Sequence, residues 1–183
     1  MGAGILPVSM HNGKLYFLFG KENKYADTPG WSDFGGGTDN YEDHLETAIR
    51  EAREELTGFL GDDKMIRTLI LKNGRVEIVN KTNGHSAYHM FVVPMDYDKS
   101  LVNYYNNNQR FLQEKLPQTL IKQSKIFEKE EIKWVCITDF DKMMGKFRPY
   151  FKEIAKKVVN RKKDILQLFA KKAVTHRNTR KMR

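Results

Sequence analysis

Three glutamates, Glu51, Glu54 and Glu55, stand close together in an acidic part of the sequence. On a helix, side chains three and four positions apart share one patch of surface, where like charges oppose helix formation unless a positive charge lies between them. Arg50 and Arg53 can supply part of that charge, and an ordinary solvated helix face is the alternative interpretation. A hard divalent cation with oxygen ligands fits the cluster better. The spacing therefore indicates a metal site.

The segment that carries these glutamates has the period of an amphipathic helix. Its apolar residues recur on one face: Leu45, Ala48, Ile49, Ala52 and Leu56. Asp39 and Asn40 are the candidate N-caps, and Gly58 is expected to end the helix.

A glycine-rich segment, residues 30–37 (GWSDFGGG), comes shortly before this helix. Three consecutive glycines favour a loop, because glycine has the widest conformational freedom and no side chain to pack. Glycine also lets the backbone approach a phosphate or a metal closely, with N–H or carbonyl groups directed into the site. The fixed spacing between this segment and the acidic helix is the more specific signal.

The combination of Gly36, Glu42 and the run from Arg50 to Glu55 resembles the Nudix box, G-x5-E-x7-R-E-U-x-E-E-x-G-U, in which U is a bulky apolar residue. Two positions depart from that pattern. Ala52 takes the place of the bulky residue, and Thr57 stands where the closing glycine is expected, with Gly58 following it. Neither change affects a carboxylate. The resemblance to the Nudix hydrolase family covers residues 36–58 and implies an α/β/α sandwich with a mixed β-sheet.

The resemblance also implies roles for individual residues. Arg50 and Glu42 are expected to orient the glutamates by hydrogen bonding. A Mg²⁺ or Mn²⁺ ion is expected to be held by three carboxylates and a backbone carbonyl: Glu51, Glu54, Glu55 and Gly36. Such an ion offsets phosphate charge and activates water for attack on phosphorus.

The general base is left open among several carboxylates. Glu54 or Glu55 could serve, and so could a glutamate from outside the helix. Glu130 and Glu131 precede the apolar run IKWV, where many Nudix enzymes place a further catalytic carboxylate. A solvated charged loop is the alternative interpretation for these two residues.

Two aromatic residues near the glycines, Trp31 and Phe34, are candidates for stacking on a nucleobase. Trp134 alternates with apolar neighbours and is expected in the core.

The rest of the sequence predicts a mixed α/β fold. Asn12-Gly13 between two apolar runs predicts a β-hairpin. Further strands are predicted over Met65–Leu71, Arg75–Asn80, Ala87–Val93 and Ile132–Ile137. Residues 98–123 are expected to form a loop and one helix, and a long amphipathic helix is expected from Pro149 onward.

Charge is distributed unevenly along the chain. The net charge is +9, but residues 146–183 hold fourteen Lys and Arg against two acidic residues, which leaves −3 for residues 1–145. We therefore predict a Nudix-like domain over 1–145 and a basic C-terminal helix and tail over 146–183, packed on or extending the same domain. Such clusters bind phosphate backbones by counterion release. The residues expected to contact nucleic acid include Lys171, Lys172, Arg177 and Arg180.

Other features of the sequence indicate the cellular location of the protein. The single cysteine, Cys136, lies in an apolar run and is expected to be a buried structural residue, so no disulfide is possible within the chain. No apolar run is long enough to cross a membrane, and no secretory signal is recognisable. An intracellular, cytoplasmic protein is expected, and the sequence indicates no protein partner.

The expected function is hydrolysis of a pyrophosphate bond in a nucleoside-diphosphate-linked substrate. The triple glycine resembles the diphosphoinositol and dinucleoside polyphosphate branch, and is also similar to the Nudix enzymes of large DNA viruses that remove mRNA caps. The basic C-terminus favours a capped RNA substrate, from which a capped nucleoside diphosphate is released. A hydrolase of small polyphosphates and a non-catalytic RNA-binding module are the alternatives.

Overall fold

The computed structural model describes residues 1–81, 87–124 and 127–170. Strands in this part of the chain form one mixed sheet: β1 Gly2–His11, β2 Lys14–Glu22, β3 Trp31–Ser32, β4 Phe34–Gly37, β5 Val76–Asn80, β6 Tyr88–Pro94 and β7 Lys129–Cys136. The first two strands form the predicted hairpin. Asn12 and Gly13 both have positive φ, 47° and 72°, as a tight hairpin turn requires.

Helices lie on both faces of this sheet. They are α1 His44–Glu55, α2 Asp63–Asn73, α3 Lys99–Lys115, α4 Gln118–Gln123, α5 Phe140–Met143 and α6 Phe151–Asn160. Residues 162–170 are helical again after a turn at Arg161. None of the helices in the described ranges combines the length and the apolar character that a membrane span requires.

The sheet is organised around β1. It pairs with β6 in parallel along residues 2–8, with β2 in antiparallel fashion near its C-terminal end, and with β4 near its N-terminal end. β2 in turn pairs with β7 and, at Gly20 and Lys21, with β3. The short strands β3 and β4 thus fill the space where β1 and β2 diverge.

Two hydrophobic cores separate the layers. On one side, Ile5, Phe34 and Phe91 pack with residues of α1, α2 and α3. On the other side, Phe17 and Phe19 pack with residues of α5 and α6. This arrangement confirms the predicted α/β/α sandwich.

The glycine-rich segment is not the predicted loop. Phe34–Gly37 is strand β4, and its glycines pair with the first residues of β1: Gly37 with Gly2, Gly36 with Ala3 and Gly35 with Gly4. Glycine permits this close approach, because a Cβ on Gly35 would lie 2.5 Å from the Cα of Gly4. Backbone pairing alone forms the strand, which is why side-chain alternation did not reveal it.

Several other element predictions need correction. Met65–Leu71 belongs to α2, which starts at the N-cap Asp62 and ends at Gly74 with φ 72°. Residues 98–123 contain two helices, α3 and α4. β7 begins at Lys129, three residues earlier than predicted.

The segment after residue 145 is part of the sandwich. The backbone N–H of Trp31 donates to the carbonyl of Lys146 at 2.9 Å, and the backbone N–H of Arg148 donates to the carbonyl of Trp31 at 3.0 Å. Four apolar residues of α6, together with Ile165, are fully buried in the core below β1 and β2: Phe151, Ile154, Ala155, Val158 and Ile165. The predicted long helix is broken at Arg161.

Candidate active site

Helix α1 carries the acidic cluster into position. Its N-cap is Asp43, not the predicted Asp39 or Asn40, and it forms a capping box with Glu46. Ala48 and Ala52 are fully buried against the sheet. At the C-terminal end, Gly58 donates to the carbonyl of Arg53 at 2.9 Å and has φ 75°. Thr57, at the position of the closing glycine of the box, has φ 50° and donates its backbone N–H to the carbonyl of Glu54 at 2.9 Å. The helix therefore ends with Thr57 in the left-handed conformation and with the predicted Gly58 directly after it.

Arg50 fastens the helix to the segment before it. Its Nε donates to Glu42 Oε1 at 2.7 Å, and its Nη2 donates to Glu42 Oε2 at 3.1 Å and to the carbonyl of Gly37 at 2.9 Å. Its Nη1 donates to Glu51 Oε1 at 2.7 Å and to Glu54 Oε2 at 3.4 Å. One guanidinium thus connects the segment before α1, the end of β4 and two of the glutamates.

This ion pair sets the charge of its members. The hydrogen bond from Arg50 lowers the pKa of Glu42 to about 2, with a further contribution from the hydroxyl of Thr47. The hydrogen bond with Glu42 also raises the pKa of Arg50 above its usual range. Both groups are therefore ionised at neutral pH.

Gly36 lies directly against Glu51. A Cβ at this position would lie 2.7 Å from the carboxyl carbon and from both carboxylate oxygens of Glu51. No side chain fits there without moving that carboxylate. At the next position, Gly37, a Cβ would meet no atom within 4 Å.

Glu55 points inward, where its side chain is 4% exposed. Its Oε2 accepts a hydrogen bond from the N–H of Gly35 at 2.8 Å, and its Oε1 lies 3.2 Å from Lys129 Nζ. The hydroxyl of Tyr105 donates to the backbone carbonyls of Glu55 and Lys129 and so ties the helix end to β7. Burial raises the pKa of Glu55 well above its usual value, against the lowering effect of Lys129.

Lys129 is the centre of a buried charge network. Its side chain is fully buried, and its Nζ donates to Glu22 Oε1 and, at 3.1 Å, to Ser32 Oγ. Desolvation disfavours its charge, but the attraction of Glu55 and Glu22 outweighs this and raises the pKa of Lys129. The lysine therefore carries a positive charge inside the protein.

A second buried pair lies nearby. Asp33 is fully buried, and its Oδ2 accepts a hydrogen bond from the hydroxyl of Tyr88 at 2.9 Å, while Oδ1 has no hydrogen-bond partner among the described residues. Desolvation raises the pKa of Asp33 to about 6, although the hydrogen bond from Tyr88 opposes this. The pKa of Tyr88 is also raised, mainly by burial and then by the charge of Asp33.

The two aromatic candidates do not reach a substrate. Phe34 is fully buried in the core beneath α1, and Trp31 is 8% exposed in the core beneath α6. Their expected role in stacking on a base needs correction, because strands β3 and β4 direct both rings inward.

The other predicted residues lie on β7 or outside the described residues. Glu130 accepts a hydrogen bond from Lys21 at 2.6 Å, and with Glu131 it borders a polar cleft of about 440 Å³ between α3 and β7. Both belong to β7 and not to a loop, and the β7 residue in contact with Glu55 is Lys129. The tail residues predicted to bind nucleic acid fall outside the described residues: Lys171, Lys172, Arg177 and Arg180.

The acidic cluster fits a divalent cation in chemistry but is not a preformed cage. Carboxylate oxygens are the ligands that Mg²⁺ and Mn²⁺ prefer, and Gly36 leaves the space beside Glu51 free of side-chain atoms. Within the described ranges, however, no three His, Cys, Asp or Glu side chains converge as a metal site would require. Glu51 and Glu54 share Arg50, whereas Glu55 faces Lys129.

Sequence reasoning missed Glu22, Asp33 and Lys129. Lys129 and Glu22 are 107 positions apart, so no local spacing could connect them. The one available signal was Asp33 itself, a carboxylate between Trp31 and Phe34 to which the box gives no role.

Comparison with known proteins identifies the fold. No family model matches the sequence, and no curated protein is similar to it. Among solved structures, an Ap4A hydrolase from C. elegans in a binary complex superposes with a TM-score of 0.56 at 15% identity, over 91% of this chain and 99% of that one.

Two further solved structures agree. A mutT/nudix family protein from Listeria innocua gives a TM-score of 0.51 at 15% identity, over 91% of this chain and 94% of that one. A bifunctional NMN adenylyltransferase/ADP ribose pyrophosphatase from Francisella tularensis, complexed with AMP and a Mn ion, gives 0.56 at 14% identity, over 87% of this chain and 40% of that one. The chain therefore has the fold of the Nudix hydrolases.

Proposed function

We propose that the protein is a divalent-metal-dependent pyrophosphohydrolase of the Nudix type. The observation that carries this proposal is the position of Arg50, which holds Glu51 and Glu54 on one side and Glu42 on the other, with Gly36 against Glu51. A solvated helix face does not need such an arrangement. The Nudix fold supports the same activity.

In this proposal each acidic residue has a separate task. Glu51, Glu54 and Glu55 are the residues that would hold Mg²⁺ or Mn²⁺, which supplies compensation for the charge of the pyrophosphate. Arg50 keeps the carboxylate of Glu51 oriented through its 2.7 Å hydrogen bond. Glu54, with 30% of its side chain exposed and only long contacts to arginine, is the carboxylate best placed to accept a proton from attacking water.

For the substrate, we propose the 5′ cap of RNA. Support comes from the charge of residues 146–183 and from the exposure of its basic residues in the described part: Lys156, Arg161, Lys162 and Lys163. A long phosphate chain held by these residues would add to the affinity for capped RNA. The bond cut would release a capped nucleoside diphosphate.

A second candidate is a small polyphosphate. The likeness to the C. elegans Ap4A hydrolase over nearly the whole of both chains favours a dinucleoside polyphosphate, and a diphosphoinositol polyphosphate has the same reactive group. For such a substrate, the basic surface would have no part in turnover.

The test is product release with Mg²⁺ or Mn²⁺ from capped RNA, diadenosine tetraphosphate, a diphosphoinositol polyphosphate and ADP-ribose. Wild type should be compared with Glu54→Gln, and with Glu114→Gln as a control for an exposed carboxylate on α3. We expect turnover by wild type and the control and a loss of at least 100-fold in Glu54→Gln. Turnover limited to small compounds would discard the RNA cap, and no turnover of any substrate would favour a binding protein.

A further inference from the structure

Lys129 lies at the first position of β7, opposite Glu22 of β2. Its ammonium group has three N–H donors, and the structure gives it three acceptors: carboxylates of Glu22 and Glu55 and the hydroxyl of Ser32. The side chain is fully buried. Every donor of the lysine therefore has a protein acceptor.

Glu55 is held from two sides. The N–H of Gly35 on β4 contacts Oε2 at 2.8 Å, and Lys129 on β7 contacts Oε1 at 3.2 Å. Two donors on different strands fix both the position and the rotation of the carboxylate. Gly35 adjoins Gly36, which lies against Glu51. The two donors therefore also fix the position of the Glu55 carboxylate relative to Glu51.

The lysine is itself braced. Arg148 Nη1 donates to Glu22 Oε1 at 2.8 Å, and Arg148 donates to Thr28 Oγ1 at 3.1 Å from Nε and at 2.6 Å from Nη2. Glu22 is thus held by two cations, and the position of Lys129 is determined by residues far from the acidic helix.

Stability alone is a poor explanation for this network. Burying a lysine and two glutamates costs much of what their attraction returns, and apolar replacements of similar volume are often equally stable or better. A role in orienting a functional carboxylate accounts for the arrangement. The partners that orient metal ligands typically change metal affinity or activity by 10- to 100-fold when they are removed.

We infer that Lys129 is a positioning residue for the hydrolytic site, which acts by holding the carboxylate of Glu55 in one orientation. This inference rests on the proposed function, in which Glu55 helps to hold the metal ion. It assigns to Lys129 no direct contact with substrate or metal.

The test is a double-mutant cycle of Lys129→Met and Glu55→Gln, read out by Mn²⁺ affinity of the free protein and by kcat. Lys133→Met, an exposed lysine on the same strand, is the matched control. We expect Lys129→Met to weaken Mn²⁺ binding and lower kcat by about 10-fold or more, with KM little changed. In the Glu55→Gln background the same change should have less than about a twofold effect, and Lys129→Arg should restore part of the loss.

A crystal structure of Lys129→Met provides a readout that does not depend on activity. We expect the Glu55 carboxylate to leave its contact with the N–H of Gly35. Additive effects in the cycle, unchanged or tighter Mn²⁺ binding, or an unmoved Glu55 would overturn the inference. If Lys129→Met does not fold, Lys129→Gln combined with Glu22→Gln removes one charge of each sign and is expected to give the same result.

The two proposals fail in different ways. A wild-type protein that turns over no substrate contradicts the proposed function, while the Mn²⁺ cycle and the crystal structure still report on Lys129 and Glu55. An active wild type with an additive cycle contradicts only the role of Lys129.

Discussion

Arg50 and Glu42 form a two-point ion pair, with Nε 2.7 Å from one carboxylate oxygen and Nη2 3.1 Å from the other. Two parallel N–H groups match two carboxylate oxygens, a geometry that a lysine ammonium cannot reproduce. The remaining donor, Nη1, is thereby directed at Glu51. The pairing thus determines where the carboxylate of Glu51 lies.

Arg50→Lys is therefore expected to lower kcat by about 10- to 100-fold, since Glu51 loses the partner that orients it. We expect kcat to change by a larger factor than KM. Arg67→Lys is the control, because that arginine lies on α2 with 45% of its side chain exposed. Equal activity of the two variants would contradict the role of Arg50.

Gly36→Ala should abolish most activity. The new Cβ would lie 2.7 Å from the Glu51 carboxylate and displace it. Gly37→Ala offers a neighbouring control with no atom within 4 Å of its Cβ. We expect at least a 100-fold fall in kcat/KM for the first variant and less than a fivefold change for the second, measured at saturating Mn²⁺ with the folded state checked by circular dichroism. Similar losses in both would show that the strand, and not Glu51, is disturbed.

Asp33→Asn should stabilise the protein at high pH. The pKa of Asp33 is about 6 in the folded protein against an ordinary 3.8, so the folded state holds its proton more tightly than the unfolded chain. The protonated Asp33 side chain therefore adds to the free energy of unfolding. This contribution is complete below about pH 4 and is lost as the pH rises through 6. The ionised group thus costs about 3 kcal/mol at pH 8, from about 1.4 kcal/mol per pKa unit.

Urea unfolding at pH 5 and pH 8 measures this effect. We expect the gain in unfolding free energy from Asp33→Asn to be larger at pH 8 than at pH 5. Asp27→Asn, at an exposed position, should show no such difference. A gain in Asp33→Asn that does not depend on pH would contradict the assigned titration.

Lys162→Gln combined with Lys163→Gln should weaken binding of capped RNA. The slope of log K against the logarithm of salt concentration should become shallower by about one to two. Turnover of diadenosine tetraphosphate should stay unchanged, since these side chains are exposed and outside the acidic cluster. Lys14→Gln combined with Lys64→Gln removes the same charge from the remainder of the chain. Equal RNA affinity of the two double variants would remove the basic segment from the proposal.

The sequence predicted the parts of the site that are local in the chain. The spacing of Glu51, Glu54 and Glu55 and the apolar period of α1 both come from one helix, so their geometry follows from 3.6 residues per turn. Helix α2 was missed because its β-branched and apolar residues resemble a strand, although Ile66 and Ile70, the buried pair, have helical spacing. Strand β4 was missed because glycine has no side chain that could alternate.

Contacts between distant segments were beyond such reasoning. A lysine at the start of a strand is usually exposed, and nothing near Lys129 in sequence indicates that it is enclosed by Glu22 and Glu55. The inward direction of Trp31 likewise depends on backbone hydrogen bonds to Lys146 and Arg148, more than one hundred residues away.

The backbone bridge between Trp31 and the segment that starts α6 has a consequence for how this protein can diversify. Because Phe151, Ile154 and Val158 complete the core beneath the sheet, the described part of the basic segment, residues 146–170, is part of this domain and not a separate module. Its exposed charged residues can be substituted one at a time, whereas its buried apolar residues pack against β1 and β2. Within residues 146–170, the surface charge can therefore change by point substitution while the helix is retained.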